Sequence, residues 1–357
     1  MTLPILICDD SSLARRQMAR ALPEEWNVNI SFAASGAEAI TAIEQGQAHV
    51  MFLDLNMPEM SSYDVLSVIR QRDLPTLVLV VSGDIQSEAR HRVMKLGALE
   101  FLRKPVSADR VRQVLQRYGL IEKHTLSEIA RESDSARLRI DKLSTPSFMD
   151  ALRETTNIAM GAAGRQLGQL LSTFIKLPVP TLHHCSYERL PELLHVNKGL
   201  SATAEQSGHT SHPAVSSGAC QLSAVSHGFK APGVTGEGVV MLRSHDILRL
   251  DALMDQDLPH HNAATRTLID LSEMLLGACL KGLGDQLDLE FHHSYPVLLG
   301  HEKNCADLLR CRENDQSVLA IEIRYELTSP GLDCYLLLLF TDDSRAVLEE
   351  RVTLLTA

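Results

Sequence analysis

The chain has 357 residues, enough for two ordinary domains that each bury a core. It is 45% hydrophobic and 22% charged, with a formal net charge of −11, which argues for a globular protein and against nucleic acid as the main partner, since phosphate contacts need clustered Lys and Arg. No apolar run is long and uncharged enough to span a bilayer, no basic-then-apolar leader opens the chain, and the seven cysteines form no CxxC pair; the expectation is a cytoplasmic protein with reduced thiols and no membrane partner.

From Leu3 to about Leu120, short apolar runs alternate with helical patterns: Ile5–Cys8, Val28–Ala33, Val50–Leu53, Leu77–Val81 and Ala98–Leu102. Continuous apolar strands separated by helices imply a parallel sheet covered on both faces. Five such units predict a doubly wound five-stranded sheet, with its site at the carboxyl ends of the strands. Glu122 to Lys142 is charged and reads as a solvated linker. Thr145-Pro146 then looks like an N-cap followed by Pro at the first helical position. A long helix is expected from Phe148 to about Ile175.

Beyond it, Gly199 to His227 is rich in Ser, Ala, His and Gly and predicts a loop or insertion. A strand at Gly238–Leu242, a helix at Asp246–Met254 and a second long helix from about Ala264 to Leu287 follow. A strand at Tyr335–Phe340 and a helix at Asp343–Leu355 close the chain. Shifting the first long helix by 116 residues places Leu152 on Leu268, Gly161 on Gly277, Leu167 on Leu283, Gly168 on Gly284 and Pro180 on Pro296. The second part is therefore expected to be an α/β domain of two pseudo-symmetric halves. The expected organisation is residues 1–120, a linker at 121–144, and a second domain at 145–357. The histidine pairs His183-His184, His260-His261 and His292-His293 make poor chelates, because adjacent strand residues face opposite ways.

In the first domain Asp9 and Asp10 end strand one, Asp54 strand three, Ser82 strand four and Lys104 strand five. A parallel sheet brings these ends to one edge. Carboxylates so close cannot all ionise without a cation, and a hard divalent ion with oxygen ligands resolves this. Asp54 is then the in-line nucleophile toward a phosphoryl group, with Ser82 and Lys104 available to its oxygens.

Asp9-Asp10, Asp54-Leu55-Asn56-Met57-Pro58, Ser82-Gly83 and Lys104-Pro105 together resemble the CheY-like receiver family over about a third of the chain. The resemblance implies phosphorylation on Asp54 by a histidine kinase. It also implies Mg²⁺ held by Asp9, Asp10, Asp54 and the backbone carbonyl of Asn56, a cis Lys104-Pro105 bond, and Phe101 as an aromatic switch. Ser61-Ser62 departs from it, since the family usually has glycine at the second position; this is expected to alter the turn without touching a phosphate ligand.

On the first long helix Leu152, Ala159, Ala163, Leu167, Leu170 and Phe174 gather on one face. Asp150, Glu154 and Asn157 gather opposite, followed by Gly161, Gly164 and Gly168. Periodicity alone leaves two readings: solvated polar residues beside glycines that admit the second repeat, or a built surface. The spacing Asp150-x3-Glu154-x2-Asn157-x22-Pro180 is similar to that of the CheC/CheX/FliY phosphatases. That resemblance implies that Glu154 pairs with a receiver lysine and Asn157 orients the attacking water, with Asp150 in support. The second repeat has Asp270 and Glu273 instead and is expected to be silent.

The resulting expectation is a response regulator whose output domain dephosphorylates a CheY-like receiver, mainly one on another chain. The exposed stripe Asp150/Glu154/Asn157 would be the docking surface. In the unphosphorylated state the chain's own receiver, or that of a partner in a homodimer, would cover it. The alternative is a non-enzymatic adaptor for a chemotaxis, motor or adhesion-control partner. A transcription factor finds no basic helix-turn-helix here.

Overall fold

The computed structural model describes residues 2–24, 26–121, 146–198, 221–254, 263–309, 317–329 and 331–356. The expected linker beyond Ile121, Thr145, His260-His261 and 199–220 of the polar stretch lie outside them. The chain divides into two compact units, Met1–Gly161 with Val352–Ala357, and Ala162–Arg351.

Unit 1 contains the five βα repeats: β1 (Leu3–Cys8), α1 (Ser12–Ala21), β2 (Val28–Ala33), α2 (Gly36–Glu44), β3 (Val50–Asp54), α3 (Ser62–Gln71), β4 (Leu77–Ser82), α4 (Ser87–Lys95), β5 (Glu100–Arg103) and α5 (Ala108–Arg117). The strands are all parallel, in the order β2-β1-β3-β4-β5. β3 is buried along its whole length, as a strand between two helical layers must be. Serine side chains start four of the helices: Ser11, Ser35, Ser61 and Ser107 each accept from the backbone N–H three residues on, satisfying a donor that helix geometry orphans. Ile5, Ile7, Phe52, Leu79, Val114 and Trp26 build one core layer, where Trp26 meets Phe52 edge to face at 6.4 Å.

Unit 1 also takes in the first fourteen residues of α6 (Phe148–Leu170). Ser147 supplies a cap, accepting from the Asp150 N–H at 3.1 Å; Pro146 therefore precedes this cap instead of opening the helix. The helix stops at Leu170, five residues short of the expected end. Ser172 turns left-handed (φ 49°) and the Thr173 N–H reaches back to the Gly168 carbonyl, a Schellman closure. Leu171, one helical turn beyond buried Leu167, continues the apolar face and is buried, whereas the predicted Leu170 is 45% exposed.

Unit 2 carries β6 (Ile175–Lys176), β7 (Thr181–Ser186), the short α7 (Leu190–Leu193) and α8 (His195–Lys198), β8 (Leu222–Ala231), β9 (Val234–Arg243) and α9 (Ile247–Leu253). It continues through α10 (Ala263–Leu287), β10 (His292–His293), β11 (Val297–Lys303), α11 (Cys305–Leu309), β12 (Ser317–Leu327), β13 (Leu332–Thr341) and α12 (Ser344–Thr356), whose last residues join unit 1. The eight strands form one antiparallel sheet with β9 and β13 at its centre. The pseudo-two-fold is visible in the pairing: β6 and β7 add to β12, while β10 and β11 add to β8. The offset of 116 recurs at the end of α10, where Asp288 is left-handed (φ 52°) and Leu289 N–H bonds to the Gly284 carbonyl.

Leu222 to His227 is not loop but the first half of β8, and it is buried throughout. Its polar groups are satisfied at long range: Ser223 Oγ contacts Ser244 Oγ at 2.9 Å and His301 Nδ1 at 3.0 Å, and His227 contacts Ser272 Oγ at 2.8 Å. No helix among the described residues is long and apolar enough to cross a membrane.

Candidate functional site

The carboxyl edge of the parallel sheet gathers Asp9, Asp10, Asp54, Ser82 and Lys104, as the strand ends predict. Carboxylate oxygens of Asp9, Asp10 and Asp54 lie within 4.8 Å of one another, the one such metal-compatible group among the described residues. Lys104 Nζ sits 2.7 Å from Asp9 Oδ2 and 2.7 Å from Asp54 Oδ1, all three side chains being buried. Asp9 Oδ1 accepts from the Ser11 N–H at 2.9 Å, and Asp54 Oδ2 from the Asn56 N–H at 2.7 Å. Ser82 is fully buried and its Oγ accepts from the Asp84 N–H. Lys104-Pro105 is cis. Phe101 is half-buried on β5, with its N–H donating to Glu100.

Ser62 does more than the sequence suggests. Its buried hydroxyl donates to the main-chain carbonyl of Asp54, tying the start of α3 to the end of β3. A serine in a position where glycine is usual was the available signal.

The polar face of α6 meets this edge. Glu154 Oε1 lies 2.9 Å from Lys104 Nζ, making it the third carboxylate on that ammonium. Asp150 Oδ2 accepts from Ser12 Oγ at 2.6 Å and from the Leu13 N–H at 3.3 Å, placing a negative charge at the N-terminus of α1, where the helix dipole favours one. Asn157 is buried, and its Oδ1 has no hydrogen-bond partner. The stripe read as a docking surface, for which the chain's own receiver was one expected cover, is thus buried. Glu154 and Asn157 are only 3% and 4% exposed, because the receiver fold itself lies over them.

Two glycines permit the approach. A Cβ at Gly161 would stand 2.8 Å from the carbonyl carbon of Gly83, and one at Gly83 would stand 3.1 Å from Ile158 Cα and 3.2 Å from the Asn157 carbonyl oxygen. Gly164 instead faces Leu177.

Four carboxylates around one ammonium leave the cluster short of positive charge. Burial, and then the Asp54 carboxylate, push Asp10 up to about 6. Burial also holds Asp9 and Glu154 above the ordinary carboxylate range, against the pull of Lys104. Burial alone would lower Lys104, yet Asp54, Asp9 and Glu154 hold it well above its usual value, so it stays charged. An all-oxygen donor set with excess negative charge fits a hard divalent cation.

In the second repeat Asp270 is half-exposed, 3.9 Å from Arg266, and Glu273 is exposed. The matching face of α10 has no buried amide at the position of Asn157.

Residues 5–116 match the response regulator receiver domain model. An uncharacterized response regulatory protein from Vibrio cholerae is 31% identical over 127 residues, covering 35% of this chain and 52% of that protein. A protein-glutamate methylesterase/protein-glutamine glutaminase from Geobacter sulfurreducens is 30% identical over 144 residues, covering 38% of each. The chain thus spans about half or less of the length of these curated relatives. Among solved structures, Vibrio cholerae chemotaxis protein CheY4 is 25% identical, with a TM-score of 0.30 over 33% of this chain and 98% of that one. Thermotoga maritima FliY is 17% identical, with a TM-score of 0.42 over 59% of this chain and 98% of that one. With its five parallel strands and the acidic edge they carry, the N-terminal part of the chain is a response regulator receiver domain.

Proposed function

We propose that the chain is a two-component response regulator, phosphorylated on Asp54 by a histidine kinase, whose α6 face hydrolyses the aspartyl phosphate of a CheY-like receiver. The observation that carries this reading is Asn157 Oδ1, buried and unpartnered three residues from a glutamate that grips a receiver lysine. A buried amide oxygen without a donor costs roughly 1–3 kcal/mol, a penalty that persists where the group has work to do.

Asp54 supplies the carboxylate oxygen that carries the phosphoryl group. Lys104, held charged, neutralises developing negative charge, and the Ser82 hydroxyl donates to a phosphoryl oxygen. Asp9, Asp10, Asp54 and the Asn56 carbonyl would hold Mg²⁺, which supplies charge neutralisation when bound. Glu154 fixes the register of α6 on the receiver through Lys104. Asn157 accepts a hydrogen bond from water and orients it toward phosphorus. Water adds to phosphorus, the bond from phosphorus to the receiver's aspartyl oxygen breaks, and the carboxylate and inorganic phosphate are released, the water protons leaving with the phosphate. An acyl phosphate is already reactive, so positioning is most of the task.

The test is phosphate release from a separate phosphorylated CheY-like receiver with and without this protein. Accelerated release by the native chain, lost in Asn157→Ala, is the expected result; equal release with and without the chain overturns the reading and leaves the adaptor.

A further inference from the structure

Resting on the phosphatase reading, we propose that the first substrate of the α6 face is the chain's own receiver, so that Asp54 is dephosphorylated in cis. The docked receiver seen here belongs to the same chain and the same compact unit as Phe148–Gly161. It is held at three places at once: Lys104 on Glu154, Ser12 and Leu13 on Asp150, and Gly83 on the backbone of Asn157 and Ile158.

The third contact separates a built interface from a chance one. The nearest atoms to a Cβ at Gly83 all belong to α6, at Asn157 and Ile158. The nearest to a Cβ at Gly161 all belong to Gly83 and Asp84. Neither glycine turns through the left-handed region, so neither is needed for its own backbone. Each is bare toward the other. Gly83 directly follows Ser82, so the contact sets the loop that carries a phosphoryl-binding hydroxyl against the residue that would hold water. The acid, the amide and the bare loop of one reaction are therefore assembled within one chain.

The reaction is the one already balanced: water in, the Asp54 carboxylate and inorganic phosphate out, with no further co-reactant. Its consequence is a phosphorylated state whose lifetime is set inside the molecule. A receiver on another chain reaches Glu154 and Asn157 only after this one has left.

Full-length chains are phosphorylated on Asp54 with a small phosphodonor and Mg²⁺, the donor is removed, and loss of phosphate is followed over a wide range of protein concentration. Cis hydrolysis predicts first-order loss independent of concentration, at least about tenfold faster in the native chain than in Asn157→Ala. Gly83→Val and Gly161→Val block docking from opposite sides; Gly161→Val, outside the phosphoryl-binding loop, should still take up phosphate, and each variant should hold what it takes up about as long as Asn157→Ala. Loss in proportion to concentration overturns the proposal, as does fast loss in both glycine variants. An Asp54→Asn/Gly83→Val chain, its face open, is then mixed with phosphorylated full-length Asn157→Ala. If it releases that phosphate while the native chain keeps its own as long as Asn157→Ala does, cis action fails and the phosphatase stands. If nothing in either arm is accelerated, both fail.

Discussion

At the scale of single residues, the proposed chemistry of the receiver edge rests on the Asp54 carboxylate and one tie to it. Asp54→Asn should abolish acyl-phosphate labelling by a small phosphodonor with Mg²⁺, measured by mass spectrometry of the intact chain. Ser62→Ala removes the hydroxyl on the Asp54 carbonyl, a net loss of about 1 kcal/mol in stability. The chain's single tryptophan, Trp26, lies in the receiver core, so urea unfolding followed by its fluorescence reads this unit directly. Strand-end positions made Asp9, Asp54, Ser82 and Lys104 legible in the sequence, because a parallel sheet leaves them nowhere else to go. The burial of Glu154 and Asn157 was legible only as one of two covers for a docking stripe, the chain's own receiver or a homodimer partner's. They lie opposite the apolar stripe of α6, and only a second surface, folded from residues far away, covers them.

At the scale of elements, the two long helices share a register and differ in what they present. Asn157→Ala should remove most phosphatase activity, whereas Glu273→Ala should leave it nearly intact; steady-state phosphate release from a CheY-like receiver separates them. Pseudo-symmetry was readable from the 116-residue offset, but the exact helix ends were not. Ser172 and Asp288 adopt the left-handed turn that glycine usually serves, so the stop signal was missing from the residue type. The strand at Leu222–Ala231 was hidden for another reason: its serines and histidine find partners on α10 and β11 that no local pattern reveals. Burial lowers the pKa of His227, which stands against His293 with ring centroids 5.5 Å apart and, at longer range, feels Glu273. Its folded value therefore lies below the unfolded value of roughly 6.5, and its contribution to stability is full above that pH and lost as pH falls below it. The protection of β8 amides, taken as exchange relative to the intrinsic rate at each pH, should fall between about pH 7 and 5 in the native chain, and His227→Gln should flatten that dependence.

At the scale of the whole molecule, the proposed function makes the receiver, tethered to the α6 face, compete with free receivers at an effective concentration on the order of millimolar. Adding a phosphoryl mimic should change the rate at which the full-length chain attacks a separate receiver, while Asp54→Asn stays unresponsive; equal rates would reject gating by the receiver. The exchange of strands in unit 2 has a different consequence. Because β6 and β7 complete the sheet on β12, and β10 and β11 complete it on β8, each half lends its border to the other. Neither half can close its own hydrogen-bond ladder, and each alone would present unpaired edges. A chain cut between Met254 and Ala263 should give two pieces whose unit 2 halves are poorly structured apart, while the receiver sheet of the first piece stays folded, and that recover native circular dichroism when mixed, in the manner of an obligate heterodimer whose subunits happen to be joined end to end.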